Sequence, residues 1–219
     1  MRATTTGSEA KGESERRERR RQAMIDAARA LFVERGYDAV SLSEIVKRSG
    51  GSLATLYELF ENKHGLLTAI VASEDFQTHE RIDEVVARGG SPAKVLAEIA
   101  GIIVDGFSDP EKIGLVRIVM GESLRDQAFA EMMVRAAHQP AVERLASLFR
   151  TWHESGKAVI PDPIVTVHLF FGLVTHSSHM RALFGDSSVV TDLPARDRLI
   201  REATALFVNH YRIQDDEPA

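Results

Sequence analysis

Cysteine is absent from the 219-residue sequence. The chain therefore has no disulfides and no thiolate metal ligands, which is compatible with a reducing cytoplasm. Aromatic residues make up only 6%, and no uninterrupted apolar run approaches the roughly 20 residues that a membrane-spanning helix needs. Residues 1–22 carry charges but no apolar stretch after them, so we expect no secretory signal and no membrane partner. With 44% hydrophobic and 27% charged residues, the composition predicts a soluble, cytoplasmic, globular protein.

The acidic excess is unevenly distributed. The formal net charge is −5, yet residues 1–64 hold 12 basic and 10 acidic side chains, a net charge of +2, and the remaining residues carry −7. A basic first third on an acidic remainder indicates that the two parts have different partners. The overall negative charge therefore does not exclude nucleic acid as a partner of the first third.

The first 35 residues combine a polar tail with a dense run of arginines. Residues 1–15 are small and polar, and we expect them to be disordered. Arg16–Arg21 has five arginines in six positions, which fits either a solvated helix start or an arm that seeks phosphates. From Gln22 to Arg35, apolar residues recur at helical spacing, which predicts a helix with one buried face.

Two short helices with a glycine turn follow. Ser41-x-x-Glu44 has the pattern of a capping box at a helix N-terminus, and this helix is predicted to end at Gly50-Gly51. Ser52 is a suitable N-cap for a helix over Leu53–Phe60. Two short helices joined in this way predict a helix-turn-helix, whose second helix can lie in the major groove of DNA. The alternative is a small three-helix core without a DNA partner.

The segment from Gln22 to Leu67 resembles the DNA-binding domain of the TetR family of bacterial transcriptional regulators. The residues that carry the resemblance are Ile25, Ala28, Phe32, Gly36, Tyr37, Ser41, Ile45, Ser52, Thr55, Leu56, Tyr57, Phe60, Asn62, Lys63 and Leu66. The resemblance implies that the Tyr57 hydroxyl and the Lys63 amine bind phosphates. Asn62 is a suitable N-cap for a further helix that runs toward Val86. Lys63 and Ser41 therefore stand at predicted helix N-termini, where backbone N–H groups and the helix dipole favour an anion.

The outward side of the second short helix supplies the candidates for reading bases. Leu53 and Ala54 would pack against thymine methyl groups or sugars, whereas Thr55 would use its hydroxyl or its methyl group. Glu58 either accepts from a cytosine amino group or turns toward a basic neighbour, and the sequence leaves both open. The residues expected to contact DNA are Arg20, Ser41, Ser52, Leu53, Ala54, Thr55, Tyr57, Glu58 and Lys63.

The remainder of the chain is helical by pattern. Apolar periodicity and the proline and glycine breaks predict helices over 92–107, 110–124, 126–138, 140–155, 162–184 and 195–212. The expected fold is therefore all-α. We expect a disordered tail over 1–15, a three-helix helix-turn-helix domain over 16–62, and a C-terminal helical bundle over 63–219. The TetR resemblance implies that this bundle binds a ligand and forms a dimer.

Candidate residues in the bundle rest on weaker patterns. The candidates to line a ligand pocket are Ile103, Phe107, Leu115, Val119, Phe149, Trp152, His168 and Phe171, although plain core packing is the stronger interpretation for any one of them. The candidates for the dimer interface are Phe170, Val174, Leu199, Ala203 and Leu206. His176 and His179 have a spacing that can bind metal, but no acidic or cysteine residue accompanies them, so we expect no metal.

Catalytic patterns are missing from the sequence. It contains no Walker-type loop, no G-x-S-x-G and no H-E-x-x-H, so we expect neither an enzyme nor a cofactor. The resemblance implies a homodimeric repressor that binds a palindromic operator in double-stranded DNA and is released by a small hydrophobic or aromatic effector. The alternative is an activator, or a ligand-independent regulator whose C-terminal domain only dimerises or binds other proteins.

Overall fold

The computed structural model describes residues 6–106, 109–186 and 192–214, with the backbone alone over 6–10, over 74–80 and at 137. Every regular element in these ranges is helical, which confirms the all-α prediction. The helices are α1 (Thr6–Arg35), α2 (Leu42–Ser49), α3 (Leu53–Phe60), α4 (Lys63–Arg88), α5 (Pro92–Asp105), α6 (Pro110–Arg125), α7 (Gln127–Met133), α8 (Gln139–Glu154), α9 (Pro163–Leu183) and α10 (Leu193–His210). No helix in the described ranges is long and apolar enough to cross a membrane.

The chain divides between Ser73 and Glu74 into two compact units, called here the N-terminal unit and the C-terminal unit. The sequence placed this boundary between residues 62 and 63. The first turns of α4 bury Leu66, Leu67 and Ile70 completely. These turns belong to the N-terminal unit, so the boundary falls within α4 rather than in front of it.

Helix α1 begins ten residues earlier than the arginine run that was expected to open it, at Thr6. The expectation of a disordered tail is therefore wrong for residues 6–15. Acidic residues in this stretch precede arginines by three or four positions, a spacing that stabilises a helix. The carboxylate of Glu18 lies 3.5 Å from the guanidinium of Arg21 in such a pair.

The N-terminal unit is held together by an apolar core and a surface ion pair. Ile25 and Phe32 of α1, Ile45 of α2 and Leu56 of α3 are each at most 1% exposed. The guanidinium of Arg48 at the end of α2 donates two hydrogen bonds, of 2.9 and 3.0 Å, to the carboxylate of Glu34 on α1. These bonds lower the pKa of the Glu34 carboxyl group. The short α2 thus contacts α1 on both sides, through the core on its buried side and through the ion pair on its exposed side.

The core of the C-terminal unit is built around aromatic side chains from α8, α9 and α10. The ring of Phe207 lies 5.6 Å from that of Phe149, 5.1 Å from that of Phe170 and 4.6 Å from that of Tyr211. Trp152 packs against Phe149 at 5.8 Å. Rings at these separations in tilted or edge-on geometry attract one another in addition to burying apolar area.

A pair of backbone hydrogen bonds joins the α8–α9 loop to the residues after α10. The N–H of Val159 donates to the carbonyl of Tyr211 at 2.7 Å, and the N–H of Gln214 donates to the carbonyl of Lys157 at 2.8 Å. We call this pairing the C-terminal clasp. It covers the end of the core where Ile160 and Ile213 are buried.

The helix predicted over 126–138 is divided in the structure. Asp126 caps α7 by accepting the N–H of Phe129 at 3.1 Å, and α7 ends at Met133. A π-helical turn, Val134–His138, then leads into α8. Pro140 near the start of α8 has no N–H to donate, and its ring crowds the preceding turn. Widening of the helix just before this proline accommodates it.

Candidate nucleic-acid interface

The start of α2 has the capping box that the sequence predicts. The hydroxyl of Ser41 accepts the N–H of Glu44 at 3.3 Å, and the N–H of Ser41 donates to the Glu44 carboxylate at 2.8 Å. Arg35 donates to the other carboxylate oxygen at 2.9 Å. The Ser41 N–H, the Ser41 hydroxyl and the Arg35 charge keep the pKa of Glu44 below its usual value. Ser41 is exposed, but its hydroxyl already has two partners within the box.

The turn between α2 and α3 depends on a glycine in the left-handed region. Gly50 has a φ of 75° and donates its N–H to the carbonyl of Val46 at 3.0 Å. Such a φ is unfavourable for residues with a Cβ. Ser52 then caps α3, accepting the N–H of Thr55 at 3.1 Å, and the hydroxyls of Ser52 and Thr55 lie 2.9 Å apart. The N-cap predicted for α3 is confirmed.

Helix α3 has one buried face and one exposed face. Leu56 and Phe60 are buried, whereas Leu53 is 39% and Tyr57 52% exposed. Ala54 and Glu58 are also exposed, and Thr55 is half-buried. The residues predicted to read bases therefore lie on the solvent side of α3, and Leu56 and Phe60 anchor the helix in the core.

At the corner between α3 and α4, the backbone of Gly65 closely approaches that of Phe60. Glu61 has a φ of 62°, in the left-handed region. Asn62 caps α4 through its side-chain oxygen, which accepts the N–H of Gly65 at 2.9 Å. A Cβ on Gly65 would lie 2.0 Å from the carbonyl oxygen of Phe60, so only glycine fits at this position.

Lys63 lies in a less exposed place than a phosphate contact would suggest. Its ammonium donates to the carbonyl oxygen of Tyr37. It also lies 4.2 Å from the ring centroid of Tyr37 and 5.6 Å from that of Phe32. A cation over aromatic faces is attracted by the ring electrons. This partner could not be predicted from the sequence, because Tyr37 is 26 residues away and no local spacing indicates the contact.

The arginines of α1 flank α3. The guanidinium of Arg17 lies 3.4 Å from the carboxylate of Glu58. A surface cleft of about 720 Å³ between α1 and α3 is lined by Arg16, Arg17, Arg20, Thr55 and Glu58, among others. A second cleft, of about 410 Å³, is also lined by Arg20 and Thr55 and lies against the Gly50 turn. The structure thus places Arg20 beside the exposed side of α3, as part of one basic surface.

Comparison with known proteins agrees with this geometry. The model of bacterial regulatory proteins of the tetR family matches residues 24–70, which include all of α2 and α3. The model of the C-terminal domain of AefR-like transcriptional repressors matches residues 94–213. The chain belongs to the TetR family.

Three relatives that match most of the chain are 23–25% identical to it. The chain is 25% identical over 192 residues to the transcriptional regulator YvkB of Bacillus subtilis (strain 168), covering 84% of this chain and 93% of YvkB. Its fold matches a TetR-family regulator of Mesorhizobium loti MAFF303099 with a TM-score of 0.78 at 23% identity, over 90% of this chain and 98% of the other. It matches the flavonoid-responsive regulator FrrA with a TM-score of 0.69 at 23% identity, over 88% and 97%. The protein is a DNA-binding transcriptional regulator.

The residues predicted to line an effector pocket in this TetR-family regulator are mostly packed into its core. Ile103, Phe149 and Trp152 belong to the buried cluster of the C-terminal unit, with Phe171 at its edge. Leu115 is buried and Val119 half-buried. His168 is exposed and stacks on His138 at 5.8 Å, so it does not line an interior pocket. Phe107 lies outside the described residues.

The predicted dimer residues need a similar correction. Phe170, Val174 and Ala203 are buried within the chain itself and offer no surface to a second copy. Leu206 is 61% exposed and Leu199 half-buried. Periodicity did not distinguish the inward from the outward side of α9, because both of its sides are apolar. The outward side carries Val165, Leu169, Leu173 and Met180.

Proposed function

We propose that this TetR-family regulator is a homodimeric repressor whose two α3 helices enter successive major grooves of a near-palindromic operator. The observation that carries the proposal is the two-sided α3, anchored by Leu56 and Phe60, with its other side exposed next to the α1 arginines. A helix presented in this way fits a groove about 12 Å wide. The two-fold symmetry of a dimer requires an operator with matching symmetry.

Phosphate contacts would fix the position of α3, and base contacts would supply its specificity. The exposed Tyr57 hydroxyl and the exposed Arg16, Arg19 and Arg20 of α1 are available to phosphates without any rearrangement, whereas Arg17 would have to leave Glu58. Ser41 and Lys63 would have to share partners with the capping box and with the Tyr37 carbonyl. We therefore propose that the α1 arginines and Tyr57 make the larger share of the phosphate contacts.

Glu58 would act through its pairing with Arg17. The pair is exposed, so it contributes no more than about 1 kcal/mol, and a phosphate would compete for Arg17. Loss of Arg17 to a phosphate frees the Glu58 carboxylate to accept from a cytosine amino group. Thr55, whose hydroxyl touches Ser52, and the apolar Leu53 and Ala54 would contact the neighbouring bases.

The outward side of α9 supports dimer formation. Val165, Leu169, Leu173 and Met180 recur at helical spacing and are 39–53% exposed. A stripe of this kind on a soluble chain favours burial against a partner, and a two-fold dimer brings the same stripe together from both copies. Leu169→Glu should give monomers in analytical ultracentrifugation, whereas Leu124→Glu, at a position that is 90% exposed on α6, should leave the dimer intact.

The response to an effector is the least direct part of the proposal. FrrA, which shares the fold, is described as flavonoid-responsive, and this supports a small aromatic or hydrophobic effector. Binding would shift the population between two spacings of the α3 pair. The packing of Ile103, Phe149 and Trp152 instead favours the alternative, a ligand-independent regulator. An effector that releases DNA in solution would decide against that alternative.

Selection of bound duplexes from a random DNA pool at near-physiological salt tests the DNA-binding proposal. We expect a palindromic consensus with half-sites about one helical turn apart. Thr55→Ala should then change the preference at one or two base positions. If the folded protein enriches no sequence, the proposed operator binding is wrong.

A salt titration of the bound fraction tests the phosphate assignments. A residue that neutralises a phosphate reduces the slope of log K against log salt by about one unit when it is lost. We expect this for Arg20→Ala and, if its ammonium exchanges the Tyr37 carbonyl for a phosphate, for Lys63→Ala. Lys47→Ala at the exposed end of α2 is the matched control. An unchanged slope in Lys63→Ala, together with a lower melting temperature, would assign Lys63 a purely structural role.

A further inference from the structure

A groove of about 980 Å³ lies in the C-terminal unit between the last turns of α4, helix α5 and helix α10. Among the described residues that were predicted to line an effector pocket, none borders it. Its size is at the upper end of small-molecule sites, which span roughly 300–1,000 Å³. The groove is therefore a separate candidate for a ligand site.

The floor of the groove is apolar and remains open because its residues are small. Val85 of α4, Ile102 of α5 and Ile200 of α10 line it and are buried. Ala93, Ala97 and Gly101 follow one another at four-residue spacing along the groove side of α5. Their short or missing side chains leave the space between α5 and α10 unfilled.

One residue that lines this groove carries a buried hydroxyl without a hydrogen-bond partner among the described residues. Thr204 of α10 lines the groove and is only 7% exposed. Its Oγ1 has no hydrogen-bond partner among the described residues. Buried hydroxyls are nearly always hydrogen-bonded, and an unsatisfied one is costly. A polar group of a bound ligand would satisfy it.

The charges on the rim of the groove favour an anion. Two of its arginines are paired with carboxylates: Arg88 with Glu98 at 2.5 Å, and Arg196 with Asp105 at 2.6 Å.

The remaining cations on the rim come from all three walls. They are Arg81 of α4, Lys94 of α5 and Arg201 of α10. Among the described residues, Arg81 and Lys94 have no ion-pair partner, and Arg201 has only its neighbour Glu202 at 3.7 Å. Asp197, also on the rim, pairs with Arg196 at 2.6 Å, and the remaining rim carboxylate, Glu84, opposes these three cations.

We propose that this groove is the effector site and that it takes an amphipathic anion. The apolar body of the ligand lies on the α5 floor, Thr204 hydrogen-bonds to its polar group, and its acidic group pairs with the rim cations Arg81, Lys94 and Arg201. Because α4 supplies one wall, a ligand bound in the groove contacts the helix whose first turns belong to the N-terminal unit. The role of the groove as effector site rests on the proposed ligand-released repression. The binding of an anion in the groove does not.

Two fluorescent probes test the binding. 1-Anilinonaphthalene-8-sulfonate has an apolar body and a sulfonate, and N-phenyl-1-naphthylamine has a similar body without charge. We expect the dimer to bind the sulfonate with one site per chain and about tenfold more tightly than the neutral probe, as one effective ion pair would give. Equal affinity for the two probes would contradict an anion site.

Substitutions of groove residues test whether the probes bind in the groove. We expect Arg81→Gln combined with Arg201→Gln to weaken sulfonate binding about tenfold and to leave neutral-probe binding unchanged. Thr204→Val, which keeps the shape of the side chain, should weaken it several-fold without destabilising the fold. Ala97→Phe fills the floor and should abolish binding of both probes. Arg150→Gln, at an exposed position on α8, is the matched control.

If sulfonate binding is unaltered in Thr204→Val and in the double arginine variant, the groove is not the binding site, whether or not Ala97→Phe folds.

Measuring whether the sulfonate releases operator DNA distinguishes the groove proposal from the more general proposal of ligand-released repression. Sulfonate that releases DNA from the wild type, but not from Ala97→Phe or the double arginine variant, supports the groove as effector site. Release that persists in these variants overturns the groove and leaves ligand-released repression standing. Binding in the groove with no change in DNA affinity overturns the effector role. If no DNA sequence is enriched at all, the repressor proposal fails, and the probe affinities alone decide whether the groove binds an anion.

Discussion

In the N-terminal unit, three successive corners are fixed by contacts between residues that are three to five positions apart, whereas in the C-terminal unit four aromatic rings join helices that are distant in sequence. The corners use the Ser41 capping box, the Gly50 turn and the close approach of Gly65 to Phe60. The aromatic cluster uses Phe149, Phe170, Phe207 and Tyr211. The first unit is therefore most sensitive to changes in backbone geometry, and the second to loss of buried volume.

Removal of a ring from the aromatic cluster should give the largest effect. Phe149 is completely buried and contacts Trp152, Phe170 and Phe207. Phe149→Ala should lower the free energy of unfolding by roughly 3–5 kcal/mol, because the cavity collapses only partly. Denaturant unfolding followed by circular dichroism measures this. Phe184→Ala, at a site that is 82% exposed, should change stability by less than about 0.5 kcal/mol.

A methyl group at the α3–α4 corner should give the next largest effect. Gly65→Ala places a Cβ against the rigid backbone of Phe60, whereas Gly51→Ala places one 2.3 Å from the flexible end of Met24. We expect Gly65→Ala to cost about 1–3 kcal/mol or more and to abolish operator binding. Gly51→Ala should cost less, since Met24 can move. Equal costs for the two variants would show that the corner is not held by backbone contact.

Loss of the capping box should have a moderate effect that is confined to the N-terminal unit. Ser41→Ala removes the acceptor for the Glu44 N–H and should cost about 1 kcal/mol. Hydrogen exchange of the α2 amides should rise more than that of the α8 amides. Ser43→Ala, at an exposed position two residues into the same segment, is the control. A uniform rise across both units would mean that they unfold as one.

A pH effect on α9 should be the smallest. Burial lowers the pKa of His179 below its ordinary value of 6.5. The folded chain then binds fewer protons there than the unfolded chain, so this contribution to stability is present above about pH 6.5 and is lost as the pH falls. His179→Gln should weaken the fall in melting temperature between pH 7 and 5. His176→Gln, at an exposed position on the same helix, should not; a similar change in both variants would contradict the role of burial.

The helices and caps that depend on neighbouring residues could be predicted from the sequence. The caps at Ser41, Ser52 and Asn62 are confirmed, because capping uses side chains within three positions of the amide they serve. The start of α1 was missed for a different reason. This helix is stabilised by pairs of acidic and basic side chains such as Glu18 with Arg21. The expectation of disorder rested on the polar composition of the segment and did not take these pairs into account.

Features that depend on distant residues could not be predicted. α9 has apolar residues all round, so periodicity did not tell the inward Phe170 from the outward Leu169. The contact between Lys63 and the Tyr37 carbonyl depends on how α1 and α4 pack. The groove next to Thr204 requires three helices that are separated by up to a hundred residues. Local patterns carry no information on any of these.

The C-terminal clasp has a consequence for synthesis on the ribosome. The N–H of Val159 and the carbonyl of Lys157 pair with Tyr211 and Gln214, so these two bonds of the α8–α9 loop form only after more than fifty further residues have been made. The core of the N-terminal unit, in contrast, is complete once Ile70 has emerged. Translation at about 5–20 residues per second leaves the partly made C-terminal unit with exposed aromatic rings for several seconds. The core of the C-terminal unit is therefore completed later than that of the N-terminal unit.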